Sequence, residues 1–193
     1  MVKKNIVLAS ASPRRRELLR KIVRKFMVIP STVNESLIKA KSPEAFAVKA
    51  ALAKALDIAK KHENALVIGA DTIVVLGNKI LGKPKDKKHA IAMLKSLSGT
   101  THRVITGLAV VEGASGKMLT DYVVTKVKMK QIAAADILKY VESGRPLDKA
   151  GGYGIQEIED PFIAKIEGDY DNVVGLPLRN VKRLLFSLRA FES

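Results

Sequence analysis

Asp71 makes the strongest chemical demand in this chain. It stands in Leu66-Val-Ile-Gly-Ala-Asp-Thr-Ile-Val-Val75, where every neighbour except Thr72 is apolar or small. An ionised carboxylate buried without partners costs several kcal/mol, so a strand interior holds one only where a metal, a lysine or hydrogen bonds compensate it. Two readings stand. Either Asp71 lies at a bulge or strand end and faces water, or it is a metal-holding or proton-abstracting carboxylate projecting into a cleft.

A second group gathers in Ser10-Ala-Ser-Pro-Arg-Arg-Arg16. A helix beginning here would present unpaired N–H groups and partial positive charge to an anion. Ser10 and Ser12 add hydroxyls, and Arg14 and Arg15 can fork onto phosphate oxygens. Ser-Pro is also an ordinary helix start, and surface arginines are common. Lys83 sits between glycine and proline in Ile80-Leu-Gly-Lys-Pro-Lys-Asp86, either a constrained cation or solvated charge leaving a hairpin. Lys54 falls on the polar face of a helix, and Glu35 in a loop. Asp148-Lys-Ala-Gly-Gly-Tyr-Gly-Ile-Gln156 offers close backbone approach at three glycines and a side-chain amide at Gln156, though a tight turn explains the glycines equally.

The competing chemistries are poorly represented. No G-x-x-x-x-G-K-[ST] phosphate loop occurs, and Gly151-Gly-Tyr-Gly154 is not a dinucleotide fingerprint. His62, His89 and His102 lie apart without ligand spacing, and are expected at the surface or at helix ends. Zero cysteines exclude disulfides, thiolate metal sites and a cysteine nucleophile.

The 193 residues, 47% hydrophobic, suffice for one substantial core or two closely packed lobes. No apolar stretch approaches the ~20 residues of a membrane span. Met1-Val-Lys-Lys-Asn5 leads into a strand-like run with no signal-peptide core, so a cytoplasmic protein is expected. The net charge of +15 is uneven: residues 1–60 carry 14 basic and 4 acidic side chains, residues 61–130 carry 12 and 5, and residues 131–193 carry 8 and 10. Such a basic N-terminal part attracts anions, whether nucleic acid, anionic lipid or nucleotide phosphates.

The elements that must position these residues follow from periodicity. Lys3–Ala9 reads as a buried strand, with Ser12 as the N-cap and Pro13 as the first residue of the helix that follows. Phe26–Ile29 is a second strand. Ser42-Pro43 opens a long helix to about Lys61, with Ala47, Val48, Ala51, Leu52, Ala55 and Leu56 expected inward. Ala65–Leu76 is strongly strand-like, turning at Gly77-Asn78 toward Lys79–Leu81. Further helices are expected near Lys87–Leu97, Ala134–Glu142 and after Pro177. Strands are expected at Arg103–Val111, Met118–Met129 and Phe162–Ile166. Hairpins and helical crossovers both occur, so the fold class is α/β with a mixed sheet.

Six blocks stand in the order found in one family: LASASPRRREL, VIGADTIVV, ILGKPKD, LSGTTHRVITG, DKAGGYGIQ and NVVGLPL. From Ile6 to Leu178 the chain resembles the Maf proteins, nucleoside triphosphate pyrophosphatases. The resemblance implies an elongated, twisted sheet flanked by helices, with two lobes and a central cleft like that of inosine-triphosphate pyrophosphatase. It places residues 1–193 in a single Maf-like domain. It implies hydrolysis of dTTP or UTP, with modified pyrimidine nucleotides as further candidates, to the monophosphate and pyrophosphate with Mg2+ or Mn2+. Asp71 matches the family's proton acceptor. Ser10, Arg15, Glu35, Lys54 and Lys83 match residues lining its cleft, and Arg14, Thr72 and Gln156 match the set of the dTTP/UTP-directed members.

In the mechanism expected from this, the Ser12 helix start, Ser10, Arg15, Lys54 and Lys83 clamp the triphosphate, while Asp71 and Glu35 hold the metal. The partner is then a small-molecule nucleoside triphosphate, with no specific nucleic acid and no membrane, and the resemblance allows a homodimer. The alternative is a basic nucleic-acid-binding or septum regulatory protein without catalysis. Its support is the charge; only 5% of residues are aromatic, and no aromatic–basic stacking pattern appears. Three details depart from the family pattern: Asn34 where aspartate is frequent, the acidic Glu157-Ile-Glu-Asp-Pro161, and acids in Gly168-Asp-Tyr-Asp-Asn172.

Overall fold

A computed structural model describes residues 4–155 and 162–188. Among these residues seven strands form one mixed sheet: β1 (Asn5–Leu8), β2 (Met27–Val28), β3 (Ala65–Leu76), β4 (Lys79–Leu81), β5 (Thr101–Glu112), β6 (Met118–Met129) and β7 (Ile163–Glu167). Their order is β2-β1-β3-β5-β6-β7, with β4 also paired to β3. β1 runs parallel to both β2 and β3, whereas β3–β4 and β6–β7 are antiparallel. Among the described residues six α-helices accompany the sheet: α1 (Pro13–Arg20), α2 (Pro43–Ala59), α3 (Lys87–Leu97), α4 (Ala134–Glu142), α5 (Tyr170–Val174) and α6 (Leu178–Ser187). No described helix is long and apolar enough to cross a membrane.

Local signals set most boundaries. Ser12, Ser42 and Asp86 each accept a backbone N–H from three residues on, and so cap α1, α2 and α3. Gly77 turns β3 into β4 with φ +57. The second strand is shorter than expected, with Met27 and Val28 both exposed at the sheet edge. Helix α5 has no strong periodic signal, being only five residues long.

The chain divides into two compact units. The first comprises the segments Met1–Asp71, Thr106–Val123 and Gly175–Ser193, and the second Thr72–Ile105 and Val124–Val174. The core of the first packs Ala51, Ala55, Ile58 and Ala59 of α2 against Val7, Val67 and Ala109 of the strands. This corrects one expectation. Val48, Leu52 and Leu56 are only half-buried, and the fully covered face is the alanine face. The cause lies in two strand glycines: a Cβ on Gly107 would stand 2.2 Å from the Ala47 carbonyl oxygen, and one on Gly69 2.1 Å from that of Ala51. The helix backbone rests directly on the sheet there, so only small side chains fit between and the larger ones are displaced to the flanks. The core of the second unit is built from Leu94 and Leu97 of α3, Ile137 and Val141 of α4, and strand residues including Val104 and Val127.

Candidate active site

The close packing of α2 on β3 decides what Asp71 meets. Residues two apart on a strand share a face, so Asp71 looks the same way as Gly69, toward the helix. Lys54 follows Ala51 by three residues and therefore lies on the same side of α2 as the Gly69 contact. Its ammonium Nζ donates to Asp71 Oδ1 at 2.7 Å and pairs with Glu35 Oε1 at 2.5 Å. Asp71 is only 5% exposed and lies mid-strand, so it does not face water from a bulge or strand end. Its other oxygen, Oδ2, is buried with no hydrogen-bond partner among the described residues. Glu35 opens a 3-10 turn, Glu35–Leu37, and keeps half its side chain in solvent.

The start of α1 supplies the second half of the site. Ser12 Oγ accepts the Arg15 N–H, and the Ser12 N–H donates to Ser10 Oγ at 3.2 Å. Arg15 folds back on this turn: Nη1 donates to Ser10 Oγ at 3.3 Å and Nε to the Gly175 carbonyl at 2.8 Å. Ser10 thus accepts twice and keeps its own O–H as a donor. Burial pulls the Arg15 pKa below its usual value; the charges of Asp71 and then Glu35 oppose this, and Arg14 adds to it. A guanidinium so lowered is still a cation. Ser10, Ser12, Arg14, Arg15, Glu35, Lys54 and Asp71 all belong to the first unit.

The remaining sequence-derived residues lie elsewhere. Thr72 follows Asp71 on β3, half-buried, and is the first residue of the second unit. Lys83 is exposed in that unit, on the segment after β4, between buried Leu81 and Pro84. Gln156 and the Glu157–Pro161 stretch lie outside the described residues.

The donor set fits a hard divalent cation. Such ions take oxygen ligands, and Mg2+ is commonly held by one or two carboxylates together with substrate phosphates. The unpartnered Asp71 Oδ2 and the half-exposed Glu35 provide two carboxylates. No cluster of three or more His, Cys, Asp or Glu side chains occurs among the described residues, which leaves further ligands to substrate and water.

The description "Maf-like protein" belongs to the family model that matches residues 5–188. The chain belongs to this Maf-like family. A dTTP/UTP pyrophosphatase of Clostridium botulinum (strain Kyoto / Type A2) is 48% identical over 189 residues, covering 96% of this chain and 97% of that protein. Another, from Clostridioides difficile (strain 630), is 43% identical over 190 residues, covering 97% and 98%. Among solved structures, a HAM1 protein from Coxiella burnetii aligns with a TM-score of 0.52 at 18% identity, covering 97% of this chain and all of that one. That likeness is one of fold, and it agrees with the mixed α/β architecture.

Two departures from the Maf-like pattern have local explanations. Asn34 caps the turn that carries Glu35, its Oδ1 accepting the Ser36 N–H at 3.1 Å, work an aspartate would do equally well. Asp169 accepts the Asn172 N–H at 3.1 Å and so caps α5. Sequence reasoning missed Gly175, whose carbonyl anchors Arg15 and whose φ of +123 favours glycine. Its only trace was the NVVGLPL block.

It also misplaced one histidine of this Maf-like chain. His62 and His89 do lie at helix ends, but His102 on β5 is 2% exposed. Its Nε2 and the Tyr153 hydroxyl share a hydrogen bond of 2.6 Å, with the rings edge to face. Burial pushes the imidazole pKa down to about 4 and raises that of the Tyr153 phenol. In the unfolded chain His102 titrates near its ordinary value of about 6.5. Between these values the unfolded state binds a proton that the folded state refuses, so stability present above pH 6.5 is lost as pH falls toward 4. The loss is expected to reach a few kcal/mol at most, and to shrink in His102→Asn. Urea unfolding of both proteins from pH 7 to pH 4.5 checks this; parallel curves would refute it.

Proposed function

We propose that this chain hydrolyses nucleoside triphosphates, dTTP and UTP foremost, to the nucleoside monophosphate and pyrophosphate. The observation that carries the reading is the Asp71 carboxylate: buried mid-strand, held through one oxygen by Lys54, with its other oxygen unpartnered. The names of the Clostridium botulinum and Clostridioides difficile relatives support the substrate class.

A triphosphate carries about four negative charges, and its hydrolysis depends mostly on positioning and charge stabilisation. Ser10, the N-capped start of α1 and Arg15 bind phosphate oxygens, and Lys54 adds positive charge beside Asp71. Asp71 Oδ2 takes a proton from the attacking water, whose oxygen bonds to the α-phosphorus. The bond between that phosphorus and the α–β bridging oxygen breaks, and pyrophosphate departs with the electron pair. Asp71 and Glu35 would hold the divalent cation, which lowers the pKa of bound water and offsets charge on the phosphates. Lys83, Arg14, Thr72 and Gln156 enter on the motifs that carry them: Lys83 on phosphate, and the other three in base selection.

The Gln156 amide offers one donor side and one acceptor, which suits the O4/N3–H edge of uracil or thymine. A site built on such bonds rejects bases that leave them unmet. Gln156→Ala is therefore expected to lower the ratio of kcat/KM for dTTP over GTP by about 10-fold or more. An unchanged ratio places base readout elsewhere. The reading as a whole is tested by incubating the purified chain with a nucleotide panel and Mg2+ or Mn2+ and separating the products. Monophosphate plus pyrophosphate from dTTP and UTP is expected. Diphosphate plus orthophosphate, or no turnover, overturns it.

A further inference from the structure

The His102–Tyr153 pair is a buried polar arrangement in the second unit that the proposed reaction leaves without a task, as is the Asn172–Thr125 contact. Tyr153 lies in an apolar cluster with Val74, Leu81, Leu94 and Phe162. His102 Nδ1 has no partner among the described residues. An imidazole with one nitrogen unsatisfied is a poor choice for stability alone, since an apolar side chain of similar shape would fill the space without desolvating a polar atom. What it gains is a single directed bond to Tyr153.

Tyr153 stands at the end of a segment with little stiffness of its own. Gly151 and Gly152 both have left-handed backbone, φ +71 and +73, and a Cβ on Gly151 would press on Val74 at 3.0 Å. The segment is therefore obliged to be glycine, and glycines must be held from outside. Its ties include the His102 bond, the Gly154 N–H to Tyr140 hydroxyl bond at 3.3 Å, the Gly152 N–H to Lys149 carbonyl bond at 3.0 Å, and the Gly151 N–H to Gly82 carbonyl bond at 3.0 Å. The last leads directly to Lys83, because Gly82 precedes it in the chain and Pro84 packs 3.8 Å from where a Gly152 Cβ would stand.

We propose that His102 and Tyr153 are positioning residues for Lys83, acting through the Gly151–Gly82 backbone bond. His102 fixes the tyrosine, the tyrosine fixes the glycine pair, and the glycine pair fixes the backbone that presents the Lys83 ammonium. Burial keeps the imidazole neutral in the folded chain at ordinary pH. The kinetic consequence rests on the proposed function, in which Lys83 binds phosphate; the anchoring itself does not.

Tyr153→Phe removes one oxygen and keeps the ring. Amide exchange at Gly151, followed by NMR, is expected to accelerate about 10-fold as its bond to Gly82 opens more often. In the same variant kcat/KM for dTTP is expected to fall about 10-fold, mostly through KM. In a Lys83→Ala background the same substitution should change kcat/KM by less than about 2-fold, because both act through one cation. His102→Leu repeats the series should Tyr153→Phe fold poorly. Unchanged exchange at Gly151 overturns the anchor whatever the enzyme does. Faster exchange with equal kinetic losses in both backgrounds overturns the link to Lys83. A wild-type chain inactive on every nucleotide removes the proposed function and the kinetic role with it, while the exchange rates still decide the anchoring.

Discussion

Asp71→Asn is expected to lose about 10²-fold or more in kcat on dTTP while the chain keeps its fold. The substitution keeps the shape of the side chain and removes its ability to take a proton from water. Stability should change little, because Lys54 retains Glu35 at 2.5 Å and is not left as a lone ammonium. The amide can still accept from Lys54 through its oxygen. The two readouts are pyrophosphate release at saturating nucleotide and thermal unfolding. Turnover within about 3-fold of the wild type, in a folded protein, would remove Asp71 from the mechanism.

Lys54→Met is expected to damage both stability and activity. The apolar stem is preserved, but Asp71 is left as a buried carboxylate without its cation, while half-exposed Glu35 can turn to water. Breaking a buried pair from one side costs about 3–5 kcal/mol, chiefly because of the charge left behind. Activity should fall at least about 10²-fold as phosphate-directed charge is lost beside the acid. The double variant Lys54→Met/Asp71→Asn removes the stranded charge, and is expected to recover most of the lost stability and none of the activity. Urea unfolding of the four proteins measures this coupling. Strictly additive stability changes would mean that the 2.7 Å contact contributes nothing and that Lys54 acts only on substrate.

Much of the fold was readable along the chain. The helix starts at Ser12 and Ser42, the strand containing Asp71 and the turn at Gly77 all rest on signals within a few residues. The long helix was harder. Its apolar periodicity pointed to Ala47, Ala51 and Ala55, which are buried, and equally to Val48, Leu52 and Leu56, which are not, because Gly69 and Gly107 admit the helix backbone so closely that the alanine face is the one covered. The glycines carry that information, but they lie on strands remote in sequence from the helix they accept. His102 was unreadable for a similar reason: an isolated histidine near a strand start looks like surface until Tyr153, fifty-one residues away, is found on it.

The sequence by itself determined the class of the sheet and the family, and it singled out Asp71 as an acid in an apolar strand, since caps, turns and periodicity act over one or two turns of chain and the six blocks are linear text. Only the tertiary structure decided the company that acid keeps. Lys54 reaches it across 17 positions and Arg15 reaches the Gly175 carbonyl across 160. Those separations are closed by how tightly a helix can lie on a sheet and where a loop returns. That is a question of volume and backbone approach, and no local pattern encodes it.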